Sequence, residues 1–208
     1  MKRPRRGRRR RLLRLAVLVV VVLGIAAAAV WFTAGRAVVP AVSARIYPIH
    51  YVKEIAHVAG QYHLDPYLVA AVVQTESGYD PQARSHAGAV GLMQLMPDTA
   101  TWITGLESWR GSDHPDLTDP EDNLELGACY LAFLVRTLGG GTRLALAAYN
   151  AGQGAVVDWV KAAGGRDSFG LDDIRYPETR EFVRRVEHYR ELYTRVHPRA
   201  FASTGGAT

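Results

Sequence analysis

The chain has 208 residues, of which 48% are hydrophobic and 22% charged, so it has room for one globular domain and a short additional segment. The net charge of +5 comes from residues 1–36, which hold ten of the 25 Lys and Arg and no Asp or Glu. The rest of the chain has 15 basic and 20 acidic residues and is therefore mildly acidic. This charge argues against a nucleic-acid-binding body. A single cysteine, Cys129, excludes an intrachain disulfide and a structural zinc site, and its apolar neighbours predict that it is buried.

A long apolar segment follows the basic N-terminus. It runs from Leu15 to Phe32, and its 18 residues would span roughly 27 Å as a helix, close to the roughly 30 Å of a bilayer core. Residues 1–36 are therefore predicted to be a basic cytoplasmic tail and a single-pass anchor in the cytoplasmic membrane, with the rest of the chain outside. A cleaved signal peptide with a site near Ala26–Ala29 is the alternative, but the segment is longer than a signal peptide needs. Either way the body is exported, which argues against ATP-dependent or nicotinamide-dependent enzymes.

The exported body is predicted to be all-α. Strand-like alternation is scarce, and helical spacing of apolar residues is common. Residues 37–48 are predicted to be a linker, residues 49–198 one helical domain and residues 199–208 a disordered tail. The predicted helices cover residues 49–59, 66–77, 120–138, 142–149, 155–163 and 178–196.

Two Asp-Pro pairs give the clearest helix starts. Asp65-Pro66 and Asp119-Pro120 each offer a carboxylate that can cap free N–H groups and a proline that suits the first helical position. The helix after Asp65 is almost entirely apolar, which predicts a buried position in the core. The last predicted helix has one apolar stripe that is expected to pack against the core, made of Phe182, Val186, Tyr189, Tyr193 and Val196.

Glu76 is the residue that does not fit its surroundings. It ends an otherwise apolar predicted helix, where the helix dipole disfavours a negative charge. Partial burial would add a desolvation penalty, so both effects are expected to raise the pKa of this carboxyl. A carboxyl that keeps its proton near neutral pH can act as a general acid towards a glycosidic oxygen, whereas the alternative is a surface glutamate with no task.

Three motifs follow in order along the body. They are ESGYDPQARSHAGAVGLMQLMPDTA from Glu76, AYNAG from Ala148 and YPETREFV from Tyr176. In the first motif, Gly88 and Gly91 are expected to permit close approach of the backbone. Together the motifs resemble the lytic transglycosylases with the soluble-transglycosylase (SLT) fold, relatives of goose-type lysozyme, over residues 47–193. The resemblance implies a lysozyme-like, all-α domain with a saccharide-binding cleft.

The resemblance also implies a role for individual residues. Glu76 corresponds to the family's catalytic glutamate. Ser85 and Gln94 correspond to positions that line the cleft and contact the sugar. Tyr149 corresponds to the tyrosine that reaches towards the catalytic carboxyl, and Asn150 corresponds to its partner.

Three other motif positions are less specific. Met93 has two interpretations, sugar contact and core packing, because methionine fills irregular gaps well. Glu178 corresponds to a position near the cleft, but it is equally suited to capping the last helix. Phe182 departs from the family pattern, which has tyrosine there, so the hydrogen bond of that hydroxyl is lost while the packing is expected to survive.

The motifs offer one carboxylate, whereas most glycosidases use two. Asp80 precedes Pro81 in a predicted turn, where turn formation is the favoured role. The resemblance implies that Glu76 protonates the oxygen between N-acetylmuramic acid and N-acetylglucosamine, and that it then takes the proton of the 6-hydroxyl that attacks to form a 1,6-anhydro end. A hydrolytic muramidase and a non-catalytic wall-binding protein are the alternatives.

No cofactor and no metal ion are expected, because the seven histidines show no ligand spacing such as HExxH. The predicted partners are peptidoglycan glycan strands and, through the N-terminal helix, the membrane. Partners from a cell-wall or secretion machinery are compatible with an anchored wall enzyme, and no nucleic-acid partner is expected.

Overall fold

The computed structural model describes residues 24–25, 45–139 and 141–202. The chain divides into two compact units after Pro48, and every helix labelled below belongs to the unit that begins at Ile49. The predicted membrane anchor lies outside the described residues apart from Gly24 and Ile25, and so does most of the predicted linker. Both therefore stay predictions.

The described residues of the second unit form seven α-helices and one 3-10 turn. No strand occurs among them, and the loop after the second helix holds two isolated bridges, Arg84 with Val90 and Val90 with Leu95. The predicted all-α class is therefore confirmed for this part of the chain. The elements are α1 Val52–Gln61, α2 Pro66–Glu76, α3 Pro97–Thr104, α4 Pro120–Leu138, α5 Thr142–Ala151, α6 Gln153–Ala162, the 3-10 turn Leu171–Asp173, and α7 Pro177–Val196.

Both Asp-Pro helix starts are confirmed. The Asp65 carboxylate accepts a hydrogen bond of 2.9 Å from the backbone N–H of Tyr67. The Asp119 carboxylate accepts from the N–H groups of Glu121 and Asp122 at 2.9 and 3.1 Å. In each helix proline occupies the first position, where its missing N–H costs nothing.

Two helices differ from the prediction. The first helix begins at Val52 and runs through Gly60 to Gln61, because a glycine inside a helix is tolerated at a modest cost. The helix Pro97–Thr104 was not predicted. Its eight residues include three threonines and an isoleucine, whose β-branched side chains weaken the helical signal in so short a segment.

The core is built around α2. All six residues from Leu68 to Val73 are at most 3% exposed, so the predicted buried helix is confirmed. It packs mainly against α7 and also against α1, while α5 packs against α4, α6 and α7. The stripe of α7 faces this core, with Phe182, Val186 and Tyr193 buried.

Cys129 is fully buried, as predicted, and its Sγ lies 3.6 Å from the Ser108 hydroxyl.

The predicted disordered tail is wrong for residues 199–202, because Phe201 is buried and packs edge-on against the Tyr67 ring at 4.9 Å. Burying a phenylalanine ring offsets the entropy lost on ordering these few residues.

Within the described residues, no single helix is both long and apolar enough to cross a membrane. The helices α4 and α5 would meet that criterion only as a pair, across a bend of 120°.

Gly127→Ala is expected to destabilise the fold by about 1–3 kcal/mol, because the added Cβ would overlap the Sδ atom of buried Met93. Gly60→Ala is the matched control. Gly60 lies in α1 with open space where a Cβ would go, so alanine should stabilise the helix by up to about 1 kcal/mol. Urea unfolding should therefore shift in opposite directions for the two variants, and a Gly127→Ala variant as stable as the wild type would contradict the tight packing at Gly127.

Candidate active site

Glu76 is the last residue of α2 and is half-buried. Its carboxylate makes no hydrogen bond or ion pair with any other described residue. Burial raises the pKa of this carboxyl to about 8, and the positive charge of Arg185 opposes the rise. The position at the helix C-terminus acts in the same direction as burial. The raised pKa expected from the sequence is therefore present, and the group holds its proton at neutral pH.

Ser77 joins the end of α2 to the loop that carries the first motif. Its hydroxyl donates to the Leu92 carbonyl at 2.8 Å and accepts from the Tyr79 N–H at 3.1 Å. The loop consequently returns to the helix end that holds Glu76.

Asn123 of α4 fixes the same loop from the core side. Its buried amide donates to the carbonyls of Val90 and Leu117 at 3.0 and 2.9 Å and accepts from the Met93 N–H at 2.8 Å. Asn123 lies in none of the three motifs and was missed from the sequence. The signal that could have found it is a polar side chain on the apolar face of a helix, because such a group needs buried partners.

Gly91 allows the loop to approach α4 this closely. Its φ is +83°, and a Cβ there would overlap the Asn123 amide and the Leu117 carbonyl. The close approach expected at Gly91 is confirmed. Gly88, for which the same was expected, has no neighbour nearer than 4.0 Å to the position of a Cβ.

Tyr149 of α5 lies close enough to Glu76 to respond to its charge. Burial, together with the negative charge of an ionised Glu76, holds the pKa of Tyr149 well above its ordinary value. The neutral phenol donates its proton to the Met93 carbonyl at 2.8 Å. Its oxygen lone pairs are then available to accept a hydrogen bond from a protonated carboxyl.

Gln94 and Ser85 are both held by the backbone of the motif loop. The side-chain amide of Gln94 donates to the carbonyls of Ala83 and Gly91, each at 3.1 Å. The exposed Ser85 hydroxyl accepts from the Ala89 N–H at 3.0 Å. The Gln94 side-chain oxygen bonds to no other described residue, so it can accept from a ligand. No described contact links Ser85 to Glu76.

Asn150 and Glu178 lie where α5 ends and α7 begins. The Asn150 side-chain oxygen accepts from the hydroxyl of buried Thr179 at 2.7 Å, so its described partner is Thr179 and not Tyr149. Successive helical residues point about 100° apart, which separates Asn150 from its neighbour Tyr149. Glu178 is exposed and forms no side-chain cap on α7.

Met93 and Phe182 contribute by packing. The Met93 side chain has no exposed surface and lies against Gly127, so the core-packing interpretation describes it and the sugar-contact one does not. Phe182 is buried, and its ring stacks on that of Tyr149 with centroids 6.5 Å apart and planes 8° from parallel. The packing expected to survive at this departure from the family pattern is therefore present.

Arg185 of α7 is a site residue that the motifs do not include. It is exposed, it donates to the Thr75 carbonyl at 3.4 Å, and it is the one charged group among the described residues that acts on the pKa of Glu76. Only the fold could reveal it, because the two residues are more than 100 positions apart in the chain.

Arg185→Gln is expected to shift the alkaline limb of the pH–activity profile to higher pH. The glycosidic cleavage predicted from the sequence needs protonated Glu76, so it should fall as the pH rises through about 8, and removing the opposing positive charge raises the pKa of Glu76 further. Initial rates of this predicted activity between pH 5 and 10 measure the limb. High salt should shrink the difference, because Arg185 is exposed.

The control for that shift is Arg184→Gln. Arg184 is also exposed on α7, but it does not act on the pKa of Glu76. An unchanged limb in the Arg185 variant, or an equal shift in both variants, would contradict the electrostatic role of Arg185.

The saccharide cleft stays a prediction. A cavity of about 600 Å³ lies between α2, α5 and α7, but it is lined by residues such as Asp65, Leu146 and Arg190 and does not include Glu76. Among the described residues, no group of three His, Cys, Asp or Glu side chains is arranged to hold a metal ion.

Comparison with known proteins finds a family that matches this chain. Residues 54–170, more than half of the chain, match the family described as Transglycosylase SLT domain. The soluble lytic murein transglycosylase of Escherichia coli K12 is 38% identical over 126 residues, which cover 59% of this chain and 20% of that protein. Membrane-bound lytic murein transglycosylase C of Edwardsiella ictaluri is 28% identical over 193 residues, which cover 79% of this chain and 54% of that protein. The chain thus spans between a fifth and about half of these relatives.

Two solved structures share the fold. An inactive mutant of the lytic transglycosylase Slt from Pseudomonas aeruginosa matches with a TM-score of 0.65 and 33% identity, over 71% of this chain and 24% of that one. The 70-kDa soluble lytic transglycosylase of Escherichia coli matches with a TM-score of 0.66 and 32% identity, over 73% of this chain and 25% of that one.

Proposed function

Because the chain belongs to the transglycosylase SLT domain family, we propose that it cleaves peptidoglycan glycan strands as a lytic transglycosylase with Glu76 as its single acid and base. The observation that carries this proposal is the half-buried Glu76 carboxyl, whose pKa is raised to about 8 and which has no described hydrogen-bond partner. Such a group is protonated at neutral pH and free to turn towards a substrate oxygen.

In the first step, Glu76 donates its proton to the oxygen that links N-acetylmuramic acid to N-acetylglucosamine. The bond from the anomeric carbon to that oxygen breaks, and the N-acetylglucosamine side leaves as an alcohol. The neighbouring acetamido group stabilises the positive charge that develops on the anomeric carbon. The Tyr149 hydroxyl, held by the Met93 carbonyl, can accept a hydrogen bond from the protonated Glu76 carboxyl and so orient it before the transfer.

In the second step, the ionised Glu76 takes the proton of the 6-hydroxyl of the same muramic acid. The 6-oxygen attacks the anomeric carbon and closes a 1,6-anhydro ring. The carboxyl ends the cycle protonated, as it began, and no water is consumed. A pKa of about 8 suits a group that must lose and regain a proton near neutral pH.

The three motifs offer a single carboxyl group suited to the reaction, which favours this route over hydrolysis. Among the described residues, Arg185 is the one charged group that acts on the pKa of Glu76. Most glycosidases use a second carboxylate roughly 5–9.5 Å from the first. A single carboxyl group instead suits the intramolecular attack of the 6-hydroxyl.

The proposal includes substrate contacts. We assign Ser85, Gln94, Asn150 and Glu178 to a cleft around Glu76, in which the free Gln94 oxygen accepts from a sugar hydroxyl or amide. The backbone of Met93 supports the site, since its carbonyl holds Tyr149 and its N–H bonds to Asn123.

The proposal also includes a location. We infer that residues 1–36 anchor the chain in the cytoplasmic membrane with the N-terminus in the cytoplasm, so that the helical domain faces the wall. The basic run and the apolar segment support this, as does the membrane-bound relative from Edwardsiella ictaluri.

Mass spectrometry of the products tests the reaction. Purified peptidoglycan digested by the full-length chain is expected to release fragments with 1,6-anhydromuramic ends, each lighter by one water than a hydrolytic product. Reducing ends in their place would establish a muramidase. No released fragment, from a chain that still binds the wall, would establish a binding protein.

A further inference from the structure

An exposed aromatic cluster lies on the outer side of α3 and α4. The Trp102 side chain is 44% exposed. Its ring meets the Phe133 ring at 5.0 Å and the Tyr130 ring at 6.1 Å, in both cases nearly perpendicular. Neither partner is fully buried. A partly exposed indole supported by two further rings is an apolar surface that water solvates poorly, and such surfaces mark binding sites.

The cluster continues inward to the candidate active site. The Tyr130 ring lies 5.3 Å from the Tyr149 ring, and Tyr149 is the residue that responds to the charge of Glu76. Trp102 thus contacts Tyr130, and Tyr130 contacts Tyr149, the side chain that lies close to Glu76. A glycan strand bound at Glu76 extends well beyond this distance, so its outer sugars can reach the indole.

A polar groove borders the cluster. Phe133 lines a cavity of about 440 Å³ together with Leu106, Glu107, Ser108 and Arg136. A neighbouring cavity of about 430 Å³ shares Ser108 and Arg136 with it, and the two adjacent cavities are together called the polar groove. The exposed Glu107 and Arg136 form no side-chain hydrogen bond with other described residues. They supply an acceptor and a donor, which sugar hydroxyl and acetamido groups both need.

We propose that Trp102, Phe133 and the adjoining groove form an additional carbohydrate subsite, which holds uncharged sugar units of the glycan strand at a distance from Glu76. The C–H groups on one face of a pyranose ring pack on aromatic surface, while its hydroxyl groups turn to the polar rim. This inference rests on the proposed function, because the glycan strand is the ligand that reaches both places.

The test compares two substitutions at the same exposed position. Trp102→Leu keeps an apolar side chain but removes the aromatic surface, and Trp102→Phe keeps an aromatic ring. On long purified glycan strands, the leucine variant should raise KM about three- to tenfold, while the phenylalanine variant stays near the wild type. On a disaccharide with one MurNAc–GlcNAc bond, whose two sugars flank the bond cleaved at Glu76 and leave no outer sugar for the indole, all three proteins should have the same KM.

Equal KM values for the wild type and Trp102→Leu on long strands would overturn the subsite. An equal loss on long and short substrates would also overturn it, since that pattern indicates damage at Glu76. Co-sedimentation with insoluble peptidoglycan measures binding at the subsite without turnover. It compares the Glu76→Gln variant with the double variant that also carries Trp102→Leu. A wild-type chain that releases no anhydro ends would reject the proposed function, whereas loss of co-sedimentation with Trp102→Leu would still support the subsite.

Discussion

Glu76→Gln is expected to lower the rate at which anhydro ends are released from purified peptidoglycan by about 10²–10⁴-fold. Glutamine matches glutamate in size and fills the same half-buried position, but it can neither give nor take the proton that both steps require. Because one carboxyl serves as acid and then as base, its loss removes both proton transfers. Initial rates at pH 6, where the wild-type carboxyl is protonated, give the clearest comparison.

The matched control is Glu181→Gln, which makes the same chemical change on an exposed residue of α7. It should leave the rate unchanged. Co-sedimentation with insoluble peptidoglycan shows whether the Glu76 variant still binds its substrate. A Glu76→Gln variant that binds the wall and cleaves it within tenfold of the wild-type rate would remove Glu76 from the mechanism.

Local signals predicted those parts of the fold that depend on neighbours in the chain. The carboxylates of Asp65 and Asp119 cap the helices they precede, and each cap involves N–H groups only two or three residues away. The burial of α2 was predictable because a helix that is apolar on all sides has no face for water. The direction of the Glu76 pKa shift was predictable from its position at the C-terminus of this apolar helix and from its partial burial.

Contacts between distant segments could not be predicted from such signals. Asn123 pins the motif loop from α4, and Arg185 reaches Glu76 from α7, although neither belongs to a motif. Each pair is separated by 30 or more positions, and its meeting depends on how helices pack. Sequence patterns specify which face of a helix is buried, but they do not specify which partner it meets.

Inside the motifs, two contacts in the structure differ from those that the resemblance offered. Met93 was offered as a sugar contact or a core residue, and its buried side chain fits the second. Its backbone nevertheless holds both Tyr149 and Asn123. Asn150 bonds to Thr179, and the predicted pairing with Tyr149 does not occur. A motif position thus predicts that a residue belongs to the site, while the hydrogen bonds show which groups it contacts.

The same Glu76→Gln variant is expected to be more stable than the wild type at alkaline pH, by about 2–4 kcal/mol in the free energy of unfolding above pH 8. The unfolded chain releases the Glu76 proton near its ordinary pKa of 4.5, whereas burial keeps that proton on the folded chain up to about pH 8. Between these values the folded state binds the extra proton, so the free energy of unfolding falls as the pH rises. Glutamine carries no charge and avoids this loss.

Urea unfolding of both proteins from pH 4 to pH 9 isolates this contribution, because all other titrating groups cancel in the difference. The two stability curves should meet below about pH 4.5 and separate steadily until about pH 8. Parallel curves would mean that the Glu76 carboxyl is ionised in the folded protein at neutral pH, and the proton donor of the first step would be lost. If the two stability curves separate but the Glu76→Gln variant still cleaves peptidoglycan, Glu76 is a buried acid that takes no part in the reaction. The stability measurement and the rate measurement therefore test the pKa and the catalytic role of Glu76 independently.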